Sequence, residues 1–201
     1  VNTLIEIETT MLLTPELVAQ TIRNIRDDGP EPGWTPLSET ELDELVARVE
    51  REAGDQPISI FAYGSLIWNP EFQPANRKRA TAYGWHRSFS LRIKRWRATS
   101  QQPGLMMALE RGGRCDGVLF ELSPEQRRRD LRALIAREIR YSEVAGMMRW
   151  IPVRTANGDS RALTFWASTK RDGLTKPLPP EEAAYLLARA VAKADPAPNT
   201  C

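Results

Sequence analysis

Two places in the 201-residue chain combine reactive groups with informative spacing. The first is the run Phe61-Ala62-Tyr63-Gly64-Ser65-Leu66-Ile67-Trp68, in which a glycine directly follows a short apolar strand. Such a glycine lets the backbone turn sharply, and successive N–H groups in the turn can converge on an anion or a carboxylate. Read from pattern alone, the run is equally a plain strand end with a buried aromatic. The second is Glu138, which follows Leu131, Leu134 and Ile135 at intervals of seven, four and three residues. That spacing sets a carboxylate on the apolar face of its own helix. Burial raises a carboxylate's pKa, and a carboxyl group tuned toward neutrality can take and return protons. The structural alternative is that Glu138 pairs with an arginine such as Arg154 or lies at the edge of the stripe.

Other chemistries find little material. His86 is the single histidine, and Cys115 and Cys201 are the two cysteines, so neither a disulfide framework nor a CxxC or histidine-rich metal centre can be built. No metal and no cofactor are expected. Cys115 reads as a small core residue and His86 as a hydrogen-bonding one. The 28 basic and 26 acidic side chains, net +2, with 41% hydrophobic residues, are the profile of a globular protein. No apolar run approaches the roughly 18 residues of a membrane helix. Val1 to Thr10 carries Glu6 and Glu8 in place of a basic leader. A cytoplasmic protein without a membrane partner is the expectation. The segment Arg77 to Arg97 holds eight lysines or arginines with Tyr83, Trp85, Phe89 and Trp96, and on a barrel it could serve as a nucleic-acid or protein platform. Its alternation of aliphatic and charged residues reads mostly as a solvated strand face, as Arg127-Arg128-Arg129 reads as a helix surface, and no nucleic-acid partner is expected.

The elements that must position these residues follow from periodicity. Thr14-Pro15-Glu16 opens a helix through Leu17, Val18, Ile22 and Ile25 to Asp27. A linker, 28–37, follows. Ser38 with Glu41 forms a capping box before the stripe Leu42, Leu45, Val46 and Val49, which ends near Gly54. From Pro57 the pattern is strand-like: Ile58–Ala62, Phe89–Ile93, Leu105–Leu109, Val118–Leu122, Met148–Val153 and Ala162–Ala167 make about six strands. Gly112-Gly113 and Asn157-Gly158 suit hairpin turns. Ser123-Pro124-Glu125-Gln126 offers an N-cap and a first turn for the helix carrying Glu138, and a last helix runs from Pro180 to Lys193. The expected class is α+β: a small, mainly antiparallel β-barrel over 57–201 with peripheral helices, preceded by a helical extension over 1–56.

The run Phe61-Ala62-Tyr63-Gly64-Ser65-Leu66-Ile67-Trp68-Asn69-Pro70 resembles the signature of the ChaC-type gamma-glutamylcyclotransferases, which degrade glutathione. Further blocks match in order: Gly84-Trp85-His86-Arg87-Ser88-Phe89, Pro103-Gly104-Leu105 to Gly112-Gly113, Gly117-Val118, Arg137-Glu138, Trp150 to Arg154, and Ala162 to Phe165. The resemblance implies a small barrel whose Tyr63, Gly64, Ser65 and Leu66 bind the gamma-glutamyl group, with Glu138 as catalytic acid/base and no metal. The partner it implies is a small gamma-glutamyl substrate, glutathione, whose free amine closes on its own γ-carbonyl to release 5-oxoproline and Cys-Gly. Another gamma-glutamyl amine is the alternative substrate. Three departures stand out. Arg140 to Arg149 is longer than in bacterial relatives, with Val144 or Ala145 at the place of a tyrosine and Tyr141 nearby. The "RGTP" segment of the family reads Arg97-Ala98-Thr99-Ser100, at the expected entrance for the Cys-Gly half. The chain ends at Pro198-Asn199-Thr200-Cys201 where relatives continue, which suggests a shortened C-terminal part.

Overall fold

The computed structural model describes residues 32–95, 98–167 and 178–189. The expected helix from Thr14 to Asp27, together with Trp96, Arg97 and the end of the chain beyond Arg189, lies outside the described residues. Helix α1 (Glu39–Ala53) starts where the capping box predicts: the Ser38 side chain accepts from the Glu41 N–H, and the Glu41 side chain accepts from the Ser38 N–H. It ends at Gly54, whose φ of 58° suits glycine. Leu42, Leu45, Val46 and Val49 form its buried face.

Five strands follow: β1 (Ser59–Ala62), β2 (Pro74–Ile93), β3 (Gly104–Leu122), β4 (Met148–Thr155) and β5 (Gly158–Phe165). They close into a barrel in the order β1-β3-β2-β4-β5. Every pairing is antiparallel except that of β1 with β5. Short 3-10 turns occupy Ser65–Ile67 and Ser142–Met147, α2 spans Arg127–Glu138, and α3 spans Pro180–Arg189. The barrel and its peripheral helices match the expected α+β class.

Two local expectations are corrected. Gly112-Gly113 does not end a strand, because β3 runs through it while paired with β2. The register passes from Tyr83↔Arg114 to Trp85↔Arg111, leaving Gly84 opposite the two glycines, and all three have positive φ (76°, 103° and 72°). A bulge and a hairpin turn make the same demand on φ, so glycine marks both. The strands expected at Leu105–Leu109 and Val118–Leu122 are thus one, and Phe89–Ile93 is the end of a strand that begins at Pro74. The second correction concerns α2, whose N-cap is Gln126 rather than Ser123. Ser123 to Gln126 is a turn closed by Gln126 N donating to the Ser123 carbonyl (3.2 Å). The Asn157-Gly158 turn does join β4 and β5, with Thr155 facing Gly158.

Apolar side chains collect in two clusters. The outer one packs α1 and α2 on the sheet through Val46, Ile60, Phe120, Leu131 and Ile135. The other includes Phe61, Ala82, Trp85, Leu109, Cys115 and Ile151, with Tyr63 and Trp166 against it. Alternate residues of β1 serve alternate clusters, Ile60 the outer and Phe61 the inner, as the two-residue period of a strand requires.

Candidate active site

Strand β1 is buried along its whole length and delivers the chain to Tyr63. It approaches β3 so closely at Gly117 that an added Cβ there would overlap the Ala62 carbonyl and stand 2.8 Å from the Phe61 ring. Beyond the strand, Ile67 N donates to the Gly64 carbonyl (2.9 Å), while Trp68 N and Asn69 N donate to the Ser65 carbonyl (3.1 and 3.0 Å). These bonds use the amides after Leu66, so the amides of Gly64, Ser65 and Leu66 lie outside that pattern, as at the start of any helical turn. Leu66 is buried and anchors the turn in the outer cluster, whereas Ser65 is exposed. An added Cβ on Gly64 would meet nothing within 4 Å. Neither a positive φ nor protein packing demands glycine at 64, and the space beside it is open to a ligand.

Tyr63 turns back toward the inner cluster. Its carbonyl accepts from Arg87 Nη1 (3.3 Å), and its hydroxyl faces the Leu109 N–H. Burial pushes that hydroxyl above the usual phenol range, and the Glu138 carboxylate adds to the rise. Tyr63 is therefore a neutral hydrogen-bonding phenol that feels the charge of Glu138.

Glu138 is the last residue of α2, brought there by the burial of Leu131, Leu134 and Ile135 on the same face. Burial raises its pKa above the ordinary 4.5; the nearby Glu71 raises it further, while Arg137 and Arg140 act against the rise. The expected alternative partner, Arg154, is elsewhere: its Nε donates to Asp159 across the β4–β5 turn (2.8 Å). Arg137 takes that place. Its Nε lies 3.3 Å from Glu138 Oε1, its Nη1 donates to the Asn69 carbonyl (2.6 Å) and lies 3.0 Å from Glu71 Oε1, and its Nη2 reaches Ser65 Oγ (3.4 Å).

The segment after α2 is held from the N-terminal side. Leu37 N donates to the Arg140 carbonyl (3.0 Å), Ser142 N to the Thr35 carbonyl (3.0 Å), and Thr35 N to Glu143 Oε2 (3.0 Å). Tyr141 meets Trp34 edge to face at 5.2 Å and accepts a hydrogen bond from Arg95.

The structure thus brings Tyr63, Gly64, Ser65 and Leu66 to one end of the barrel, with Glu138 tied to Ser65 through Arg137. Other sequence candidates fall away from it. His86 Nδ1 donates to the Gly112 carbonyl (3.1 Å) within the bulge. Cys115 is buried, and burial raises its thiol pKa, so the thiolate is disfavoured. Arg77, Arg79, Arg87 and Arg92 are exposed while Ala80, Ala82, Trp85 and Ser90 are buried, as a solvated strand face requires. No group of three or more histidine, cysteine, aspartate or glutamate side chains able to hold a metal ion occurs among the described residues. Sequence reading missed the linking role of Arg137, the participation of Glu71, and Leu109 against Tyr63. For Arg137 the one available signal was its place beside Glu138.

A buried carboxyl group, a neutral phenol and an open backbone turn at one end of a small closed barrel define a site able to hold a polar ligand and move a proton. The same barrel occurs in the crystal structure of a yeast gamma-glutamyl cyclotransferase specific to glutathione, with a TM-score of 0.59 and 16% identity over 68% of this chain and 80% of that one. The profile of the ChaC-like protein family matches residues 58–197, and the chain belongs to that family. Among its relatives, the glutathione-specific gamma-glutamylcyclotransferase of Escherichia coli K12 is 41% identical over 95 residues, 47% of this chain. That match spans 41% of the E. coli protein's length. Glutathione-specific gamma-glutamylcyclotransferase 1 of Danio rerio is 30% identical over 68% of this chain and 71% of its own. The Homo sapiens protein of the same name is 26% identical over 80% and 73%. No helix among the described residues is long and apolar enough to cross a membrane.

Proposed function

We propose that the protein is a gamma-glutamylcyclotransferase that converts glutathione to 5-oxoproline and Cys-Gly, with Glu138 as general acid/base. The observation that carries this reading is the desolvated carboxyl of Glu138, joined by Arg137 to the Tyr63-Gly64-Ser65 turn, in a chain of the ChaC-like family. The turn, with Tyr63 beside it, would hold the gamma-glutamyl group through the backbone of Gly64, Ser65 and Leu66. The bound α-amine attacks the γ-carbonyl carbon, forming a carbon–nitrogen bond and closing a five-membered ring. Glu138 accepts the proton that the amine loses and returns it to the cysteine nitrogen as the old amide bond breaks. No water is consumed. One carboxyl with raised proton affinity suits both transfers. Holding the chain in a reactive conformer contributes independently, because intramolecular attack gains most from orientation.

Segment 34–37, which holds 140–143, and the apolar face of α1 on the shared core support reading 1–56 as a helical extension of the barrel unit 57–201. The sparse cysteines fit a reducing cytoplasm.

The test is incubation of the protein with glutathione, with both products followed by mass spectrometry. Equal amounts of 5-oxoproline and Cys-Gly are expected. A folded protein that releases neither from glutathione, yet cyclises gamma-glutamyl-alanine, would move the assignment to another gamma-glutamyl amine.

A further inference from the structure

Adjacent residues on a helix ordinarily point about 100° apart. At the end of α2, however, the side chains of Arg137 and Glu138 converge, with Nε 3.3 Å from Oε1. The rest of the Arg137 guanidinium is turned to the loop after β1, where it meets Ser65 Oγ, the Asn69 carbonyl and the Glu71 carboxylate. A single planar fork therefore joins the helix end to three residues of the turn. Glu71 is the one non-glycine residue with positive φ among the described residues, at 61°. Side chains rarely adopt that conformation without a compensating reason. Here it accompanies a carboxylate 3.0 Å from Arg137 Nη1, with Asn69 Nδ2 3.4 Å from the same oxygen.

We propose that Arg137 and Glu71 are positioning residues for Glu138: Arg137 locks the Ser65–Glu71 loop to the end of α2, and Glu71 shares its charge, so that Glu138 is held without becoming an ordinary ion pair. An arginine devoted to one carboxylate favours the ionised form and makes it a poor proton donor. A second carboxylate on the same guanidinium opposes that effect. The charged and titratable groups around Glu138 are Arg137 on its own helix, Arg140 just after it, Glu71 on the loop and Tyr63 at the end of β1. Burial and Glu71 raise its proton affinity, and the two arginines lower it.

This inference rests on the acid/base reading of Glu138, and its test separates the two. The Glu138 carboxyl is titrated by 13C NMR without substrate, its signal identified by its loss in Glu138→Gln, and the pH dependence of kcat/KM on glutathione is measured in parallel. Glu71→Gln should lower the apparent pKa of Glu138 by about half a unit, and Arg137→Gln should raise it by about one. The acid limb of kcat/KM should move with it in each case. Arg137→Lys should leave the limb in place and cut kcat about tenfold or more, because an ammonium cannot span Ser65, Asn69 and Glu138 together. Shifts of one sign, or none, would overturn the proposal even if glutathione is turned over. Opposite shifts by NMR without any product would uphold the positioning and defeat the glutathione assignment. If Arg137→Gln does not fold, the half-exposed Glu71 carries the sign test, and an unchanged or raised Glu138 pKa in Glu71→Gln overturns the proposal.

Discussion

The β2–β3 ribbon and the C-terminal end of α2 each set a carboxylate beside an arginine, with opposite results. Asp116 on β3 accepts from Thr81 Oγ1 (2.6 Å) and from Arg114 Nε and Nη2 (3.1 and 2.9 Å). Those hydrogen bonds, Thr81 first, hold its carboxyl below the usual range. Glu138 has an arginine at 3.3 Å, yet its pKa rises. Two differences account for this. The Asp116 side chain is 57% exposed and that of Glu138 only 25%, so water solvates one carboxylate and largely abandons the other. Arg114 also makes three hydrogen bonds to its aspartate, while Arg137 divides itself among Glu138, Glu71, Ser65 and Asn69. A nearby arginine alone does not fix a carboxylate's protonation; its other obligations and the solvent decide.

Turnover should separate the two most strongly. Glu138→Asp withdraws the carboxylate by one methylene and should lower kcat about 10²-fold, the scale of a roughly 1 Å misplacement. Asp116→Asn should leave kcat within about twofold, and a comparable loss in both would break the contrast. Two glycines carry the contrast from charge to space. Gly117→Ala forces a Cβ against Ala62 and Phe61 and should cost about 1–3 kcal/mol of stability by urea denaturation. Gly64→Ala meets open space, so its stability should stay within about 0.5 kcal/mol. Its KM should nevertheless rise about tenfold, the equivalent of about 1.4 kcal/mol of lost binding.

The smallest effects should appear in stability against pH. The folded state binds the Glu138 proton more tightly than the unfolded chain does, so this residue's contribution improves as pH falls through its raised pKa toward 4.5. Asp116 has the opposite sign: its contribution is present above its ordinary pKa and disappears as pH falls through the depressed one. Thermal unfolding should show Glu138→Gln slightly stabilised at pH 7 with the difference shrinking by pH 4, whereas Asp116→Asn should be slightly destabilised at both and the difference should shrink only as pH falls below the ordinary 3.8.

Local rules were legible in the sequence where a few neighbouring residues decide the outcome. The Ser38–Glu41 capping box, the Asn157-Gly158 turn and the stripe that buries one side of α2 all depend on partners within about one turn or one hairpin. From sequence alone the Gly112-Gly113 bulge reads as a turn because both need positive φ, and only the pairing partner distinguishes them. The first half of β2 is hidden by three consecutive charged residues, Arg77, Lys78 and Arg79, which interrupt the apolar alternation that marks a strand. At the site, Glu138 and the Tyr63 turn stood out by position. Arg137 to Asn69 and Arg137 to Ser65, by contrast, join residues 68 and 72 positions apart, which no periodicity records. Glu71 gave no signal in advance, since its distinguishing feature is a backbone angle.

The most direct test of the account is the rate of 5-oxoproline formation from glutathione by the wild-type protein and by Glu138→Gln, with glutathione binding to both measured by calorimetry. Glutamine keeps the shape and removes the transferable proton. Retained binding with turnover reduced by about 10²–10⁴-fold is the predicted result. A Glu138→Gln protein that binds glutathione and turns it over at close to the wild-type rate would contradict the assignment of Glu138 as the group that moves the proton.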